Sequence, residues 1–235
     1  MAERHQHVEV LYGLLDELSQ KVGGAKRLAD CHGKMNLPVR GVYFFFEVGE
    51  YRANQQDPRI VRVGTHAVSL GSKTTLWNRL YAHRGSKAGG GNHRGSIFRL
   101  HVGRAMLNWD GGTSVPHWGQ KSSVSKAIKQ SEDALERRVS EYIGNMQFLW
   151  LNVNDEPSKE SHRGFIERNA IALLAGSNGQ SPLDAGSSTW LGQYSDREKI
   201  RLSGMWNLDY IGTPDKAISY NPAFLGVVRQ YLDGM

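Results

Sequence analysis

Cysteine is nearly absent: Cys31 is the single one in 235 residues. That excludes an internal disulfide framework, an iron–sulfur cluster and a cysteine-rich zinc site. It fits a reducing, intracellular setting, so a cytoplasmic location is expected. Long apolar runs are also missing, and none approaches the ~18 residues of a membrane span. The charged, amphipathic start of the chain is neither a secretory leader nor a lipidation signal. Several chemical signatures are absent too. Gly89-Gly90-Gly91 is not followed by the Lys-Ser/Thr of a phosphate-cradling loop. There is no Gly-x-Ser-x-Gly elbow and no His-Glu-x-x-His pair. What is present is an ordinary globular composition, 39% hydrophobic and 22% charged. Lys and Arg number 29 against 23 Asp and Glu, a formal charge of +6 that favours a polyanionic partner.

Periodicity divides the chain. Val10, Leu11, Leu14, Leu15, Leu18 and Val22 recur at spacings of three and four. They predict a helix over 8–22, stopped by Gly23-Gly24. A short amphipathic piece follows over 25–30. Residues 41–47 are aromatic and β-branched, and 59–64 read Arg-Ile-Val-Arg-Val-Gly. Both fit strands, antiparallel across the polar loop 49–58. Further helices are predicted over 75–83, 124–142, 157–175 and 223–232, and a third strand over 147–153. Residues 97–107 fit either helix or strand, and 108–123 read as an insertion. The expected architecture is α/β (α+β), a small three-stranded mixed or antiparallel sheet flanked by helices. Its expected division is an N-terminal helical extension over 1–36, a core over 37–178 and a C-terminal extension over 179–235 packed on the core.

Two groups of residues carry usable chemistry. A strand pair leading directly into a helix brings Tyr43, Arg62, Arg79 and His83 within reach of one another. Arg79 and His83 stand four apart, on one helix face. Taken singly they read as a surface arginine and a histidine favoured by a helix C-terminus. Glu167 stands in an otherwise apolar helix, between Ile166 and Ile171. A carboxylate there faces solvent, binds a metal or pairs with a base, and Arg163 or Arg168 offers the simplest partner.

Together these residues resemble the GIY-YIG nuclease family. Gly41-Val42-Tyr43 resembles the first half of the name motif, and Arg62-Val63-Gly64 stands where the second half belongs. Arg79 and His83 resemble the family's Arg and His on the first core helix. Glu167, after a third strand, resembles its metal-binding glutamate. Asn178, with Asn169 and Asn207 as competitors, stands near the family's asparagine. The resemblance covers about 37–178. It departs at Arg62, where the family usually has a second tyrosine. Arg62 is then expected to contact phosphate, with His66 the candidate to replace the missing group.

The resemblance implies a metal-dependent DNA endonuclease. Hydrolysis of a phosphodiester needs an in-line water, a base and stabilisation of developing charge. In that scheme Glu167 holds one Mg²⁺ (or Mn²⁺), Arg79 offers its donor fork to the phosphate, and Tyr43 is the base or water-orienting group. Tyrosine ordinarily titrates near pH 10, so His83 is expected to accept its proton. The basic glycine-rich stretch 84–96 follows His83, and Arg84, Lys87, His93 and Arg94 are expected to clamp the DNA backbone. Trp109, Trp118 and Lys121 are candidates for added contacts. Three other readings compete, besides a structural or protein-interaction domain with incidental matches. One is a non-catalytic nucleic-acid-binding module on the same fold, motivated by Arg62. Pro214-Asp215 hints at a second nuclease class but lacks a following Glu-x-Lys, and Asn92-His93 lacks the ligands of a His-metal finger. The final helix reads as core packing or a dimer contact, so a homodimer is an expected assembly.

Overall fold

The computed structural model describes residues 2–120, 123–176, 180–213 and 216–235. Among these lie seven α-helices and four strands. They run in the order α1 (Ala2–Val22), β1 (Lys26–Arg27), β2 (Gly41–Tyr51), β3 (Pro58–Gly64), α2 (Leu76–Arg84), α3 (Ile97–Trp109), α4 (Lys126–Asn145), β4 (Gln147–Asn152), α5 (His162–Ala175), α6 (Glu198–Ser203) and α7 (Ala223–Asp233).

The sheet has four strands, not three, in the order β1-β4-β2-β3, and every pair is antiparallel. The additional strand is Lys26–Arg27, paired with Phe148 and Gln147. Two residues carry no alternation, which is why the pattern over 25–30 conceals it. The stretch 97–107, open between helix and strand, is helical, with Ser96 capping it by accepting from the Arg99 N–H at 3.3 Å. The short α6 was not expected.

β2 is apolar and buried over 41–46 because helices cover both faces of the sheet there. Val42, Phe44 and Phe46 point into one layer with α1, α5 and α7. Tyr43 and Phe45 point into the other, with α2, α3, α4, Trp190 and Trp206. Across the central pair, Tyr43 faces Gly64 and Phe45 faces Arg62. A side chain at Gly64 would begin 2.3 Å from the Tyr43 hydroxyl, so glycine there makes room for the tyrosine ring.

β3 ends the sheet, and an open strand edge invites unwanted pairing. Here the chain after α6 covers it. Trp206 N–H bonds Val61 O at 2.7 Å, and the Asn207 side chain takes both the N–H and the C=O of Val63, at 3.1 and 2.8 Å. No helix among the described residues is long and apolar enough to cross a membrane.

Candidate nuclease site

The start of β2, the end of β3, α2 and α5 converge at one corner of the sheet. Thr75 and Asn78 form a reciprocal cap that fixes the first turn of α2. Arg79 and His83 follow on one face. His83 is wholly buried, with Nε2 2.9 Å from the Tyr43 hydroxyl and Nδ1 2.8 Å from Ser96 Oγ. Burial first, and then the cations of Arg62, Arg79 and Arg99, hold its pKa well below the usual histidine range. The ring is therefore neutral at physiological pH, with one nitrogen able to accept a proton.

Arg79 is half-buried, and among the described residues nothing accepts from its guanidinium. It lines an open groove of about 430 Å³ with Arg94, Ser96, Ile97 and Leu100. Glu167 forms no pair with Arg163 or Arg168. Its Oε1 accepts the Thr65 N–H at 3.1 Å, and among the described residues no other hydrogen bond reaches the carboxylate. Burial raises its pKa and Asp209 adds to this, while Arg62, the Thr65 N–H and Arg79 oppose. Arg163 is spent elsewhere, on Asp155 and on the carbonyls of Val153 and Ala67. It thereby anchors the turn after β3, as does the Thr65 hydroxyl, which donates to Gly41 O at 2.8 Å.

Other expected residues lie differently. Arg62 is 5% exposed. Its Nη1 donates to Trp206 O at 2.8 Å and its guanidinium lies over Phe98. The structure places it as an internal cation beside the corner, not as a phosphate contact. His66 is also buried. Its Nε2 lies 3.2 Å from Val39 O, its Nδ1 has no partner, and burial lowers its pKa to about 4. Asn169 and Asn207 are both spent on backbone groups. Asn178, Lys121 and Pro214-Asp215 lie outside the described residues.

The basic stretch is pinned to its surroundings. Arg84 is buried against Trp77 and Tyr81 and bonds the Cys31 carbonyl. His93 is buried between Trp118, stacked at 3.9 Å, and the Glu136 carboxylate at 2.9 Å. Arg94 is paired with Glu132 at 2.6 Å. These three are thus drawn into the fold, and Trp118 with them. Lys87 remains exposed, as does Trp109. The sequence reading missed Ser96, Thr65 and Arg99. Ser96 left one trace, as a serine directly before an apolar run.

A family model described as the GIY-YIG domain matches residues 2–235. The chain belongs to the GIY-YIG family. No curated protein and no solved structure gave a match. Membership points to a nuclease-type function. In this GIY-YIG chain the two name-motif tripeptides pair directly, Tyr43 opposite Gly64. The match also extends on both sides of 37–178, the stretch over which the sequence resembles the family.

Proposed function

We propose that this protein is a divalent-metal-dependent DNA endonuclease whose reacting groups are Tyr43, His83, Arg79 and Glu167. The observation that carries this reading is the buried Tyr43–His83 hydrogen bond beside an unspent arginine. With its proton on Nδ1, His83 donates to Ser96 Oγ and its Nε2 accepts from the Tyr43 hydroxyl. Tyr43 is thereby prepared to take a proton from water and pass its own to a neutral imidazole. Arg79 lines an open groove of about 430 Å³, where its planar fork suits a phosphate.

Glu167 fits a hard divalent cation. One oxygen is tied to Thr65, the other is uncommitted, and the raised pKa shows a charge that burial disfavours and a bound cation would favour. A cation held there would neutralise charge building on the phosphate and leaving oxygen. Around it, Glu167 fixes the phosphate's approach, Arg79 binds a non-bridging oxygen and the Tyr43–His83 pair moves the proton. Cys31, buried and with its pKa pushed up to about 11 chiefly by burial, is an unreactive thiol, which supports a cytoplasmic location.

The test is cleavage of supercoiled plasmid and of high-complexity genomic DNA with Mg²⁺ or EDTA. Wild type is expected to cut only with the metal, and Glu167→Ala to lose about a thousandfold or more. Intact DNA binding without any cutting by wild type would overturn the catalytic reading in favour of a binding module.

A further inference from the structure

The segment that covers the edge of β3 continues into the site. It runs in the same direction as β3, since Trp206 bonds Val61 and Asn207 clamps Val63. Two residues beyond Val63, the Thr65 N–H holds Glu167. Two and three residues beyond Asn207 come Asp209 and Tyr210, which the shared direction carries to the same end of the sheet. Tyr210 is the turning point. Its φ is +63°, a left-handed conformation uncommon for a bulky residue, and the next residue, Ile211, is buried in the core layer of α1, α5 and α7. The turn leaves Tyr210 39% exposed.

The surroundings set what that phenol can do. Burial, and then the charges of Glu167 and Asp209, raise its pKa, with Arg168 opposing, so it is a neutral hydrogen-bond donor at neutral pH. At the end of β3, Arg62 is buried with Nη1 on Trp206 O and its Nε facing no partner among the described residues, and just beyond the strand the Thr65 hydroxyl is spent on Gly41 O. A phosphate drawn between Arg79 and Glu167 would approach the end of the sheet at which the covering segment presents the part-exposed Tyr210.

We propose that Tyr210 is a further catalytic residue, its hydroxyl donating to the scissile phosphate from the Glu167 side of the site. This rests on the nuclease reading above. The backbone strain at a tyrosine and its delivery to the Glu167 end of the sheet by the Asn207 clamp are then two parts of one arrangement, which holds a donor where phosphate charge develops.

The experiment compares wild type, Tyr210→Phe, Glu167→Ala and, as a distant control, Tyr51→Phe, on genomic and plasmid DNA with Mg²⁺. Single-turnover rates are read beside DNA affinity in EDTA and thermal midpoints. Tyr210→Phe keeps the ring and the turn and is expected to lose about ten- to a hundredfold in rate, with affinity and midpoint unchanged. Tyr51→Phe is expected to match wild type. A Tyr210→Phe rate within twofold of wild type, with Glu167→Ala inactive, would overturn the role of Tyr210 and leave the nuclease reading standing. Equal losses in affinity and rate would make Tyr210 a general backbone contact and overturn its place at the reacting phosphate. A wild type that cuts no DNA would bring down both readings.

Discussion

His83 and His93 are both buried, ten residues apart, and each bonds an oxygen through Nδ1. Their partners differ. His93 meets a carboxylate, Glu136, which also binds Arg99, while the neighbouring Arg94 is matched by Glu132. Every charge in that cluster has a counter-charge, and the Trp118 ring closes it. His83 meets two hydroxyls and no carboxylate, and burial, then the cations of Arg62, Arg79 and Arg99, hold its pKa low. A paired network holds helices together and has nothing left over for a substrate. A neutral base among cations is costly to fold, and it is suited to receive a proton and an anion.

The largest expected effect follows from breaking the second of these. His83→Gln retains hydrogen bonding but removes the proton acceptor, and cleavage should fall about 10²- to 10⁴-fold. Rates within threefold of wild type would remove His83 from the reaction. Breaking the first network should instead be read in stability. Glu136→Ala strips the carboxylate from buried Arg99 and from His93. Orphaning a buried charge in this way costs about 3–5 kcal/mol, measured by denaturant unfolding, and His83→Gln should destabilise less. A Glu136→Ala protein as stable as wild type would contradict a structural role for the cluster.

That contrast also marks what was legible in the sequence. Tyr43, Arg79 and His83 could be grouped because they lie on a strand and the helix after it, the last two four residues apart, whereas Glu167 joined them only through the resemblance to the family. The membership of 84–96 in a paired network could not be read. Its acids, Glu132 and Glu136, come some forty residues later on α4, and local composition shows only the bases. Arg62 fails for the same reason, since its partner carbonyl is 144 residues away. The edge strand Lys26–Arg27 is too short for any periodicity, and the place of Tyr210 depends on how a late segment docks on β3. Local pattern marked the longer strands and helices and the resemblance marked the motif residues; which charges remain available was decided by distant contacts.

A third buried histidine sharpens the comparison, with the smallest expected effect. His101 on α3 has hydrogen-bond partners on neither ring nitrogen. Burial lowers its pKa to about 4; Arg104, Arg197 and Arg62 act in the same direction and Asp196 opposes. In the unfolded chain it titrates near 6.5. Its neutral form therefore costs no stability above about pH 6.5, and stability is lost as pH falls from there toward 4, where the unfolded chain binds a proton that the folded one refuses. His66, also lowered to about 4, contributes with the same sign. Glu47 and Glu167, with raised pKa values, contribute with the opposite sign, so the wild-type curve alone does not isolate one group. The difference between wild type and His101→Leu does. The variant should gain about 1–3 kcal/mol on wild type between pH 6.5 and 4.5. Parallel stability curves for the two proteins would mean that the folded protein protonates His101 as readily as water does. That would set aside the view that burial keeps the His101 imidazole neutral.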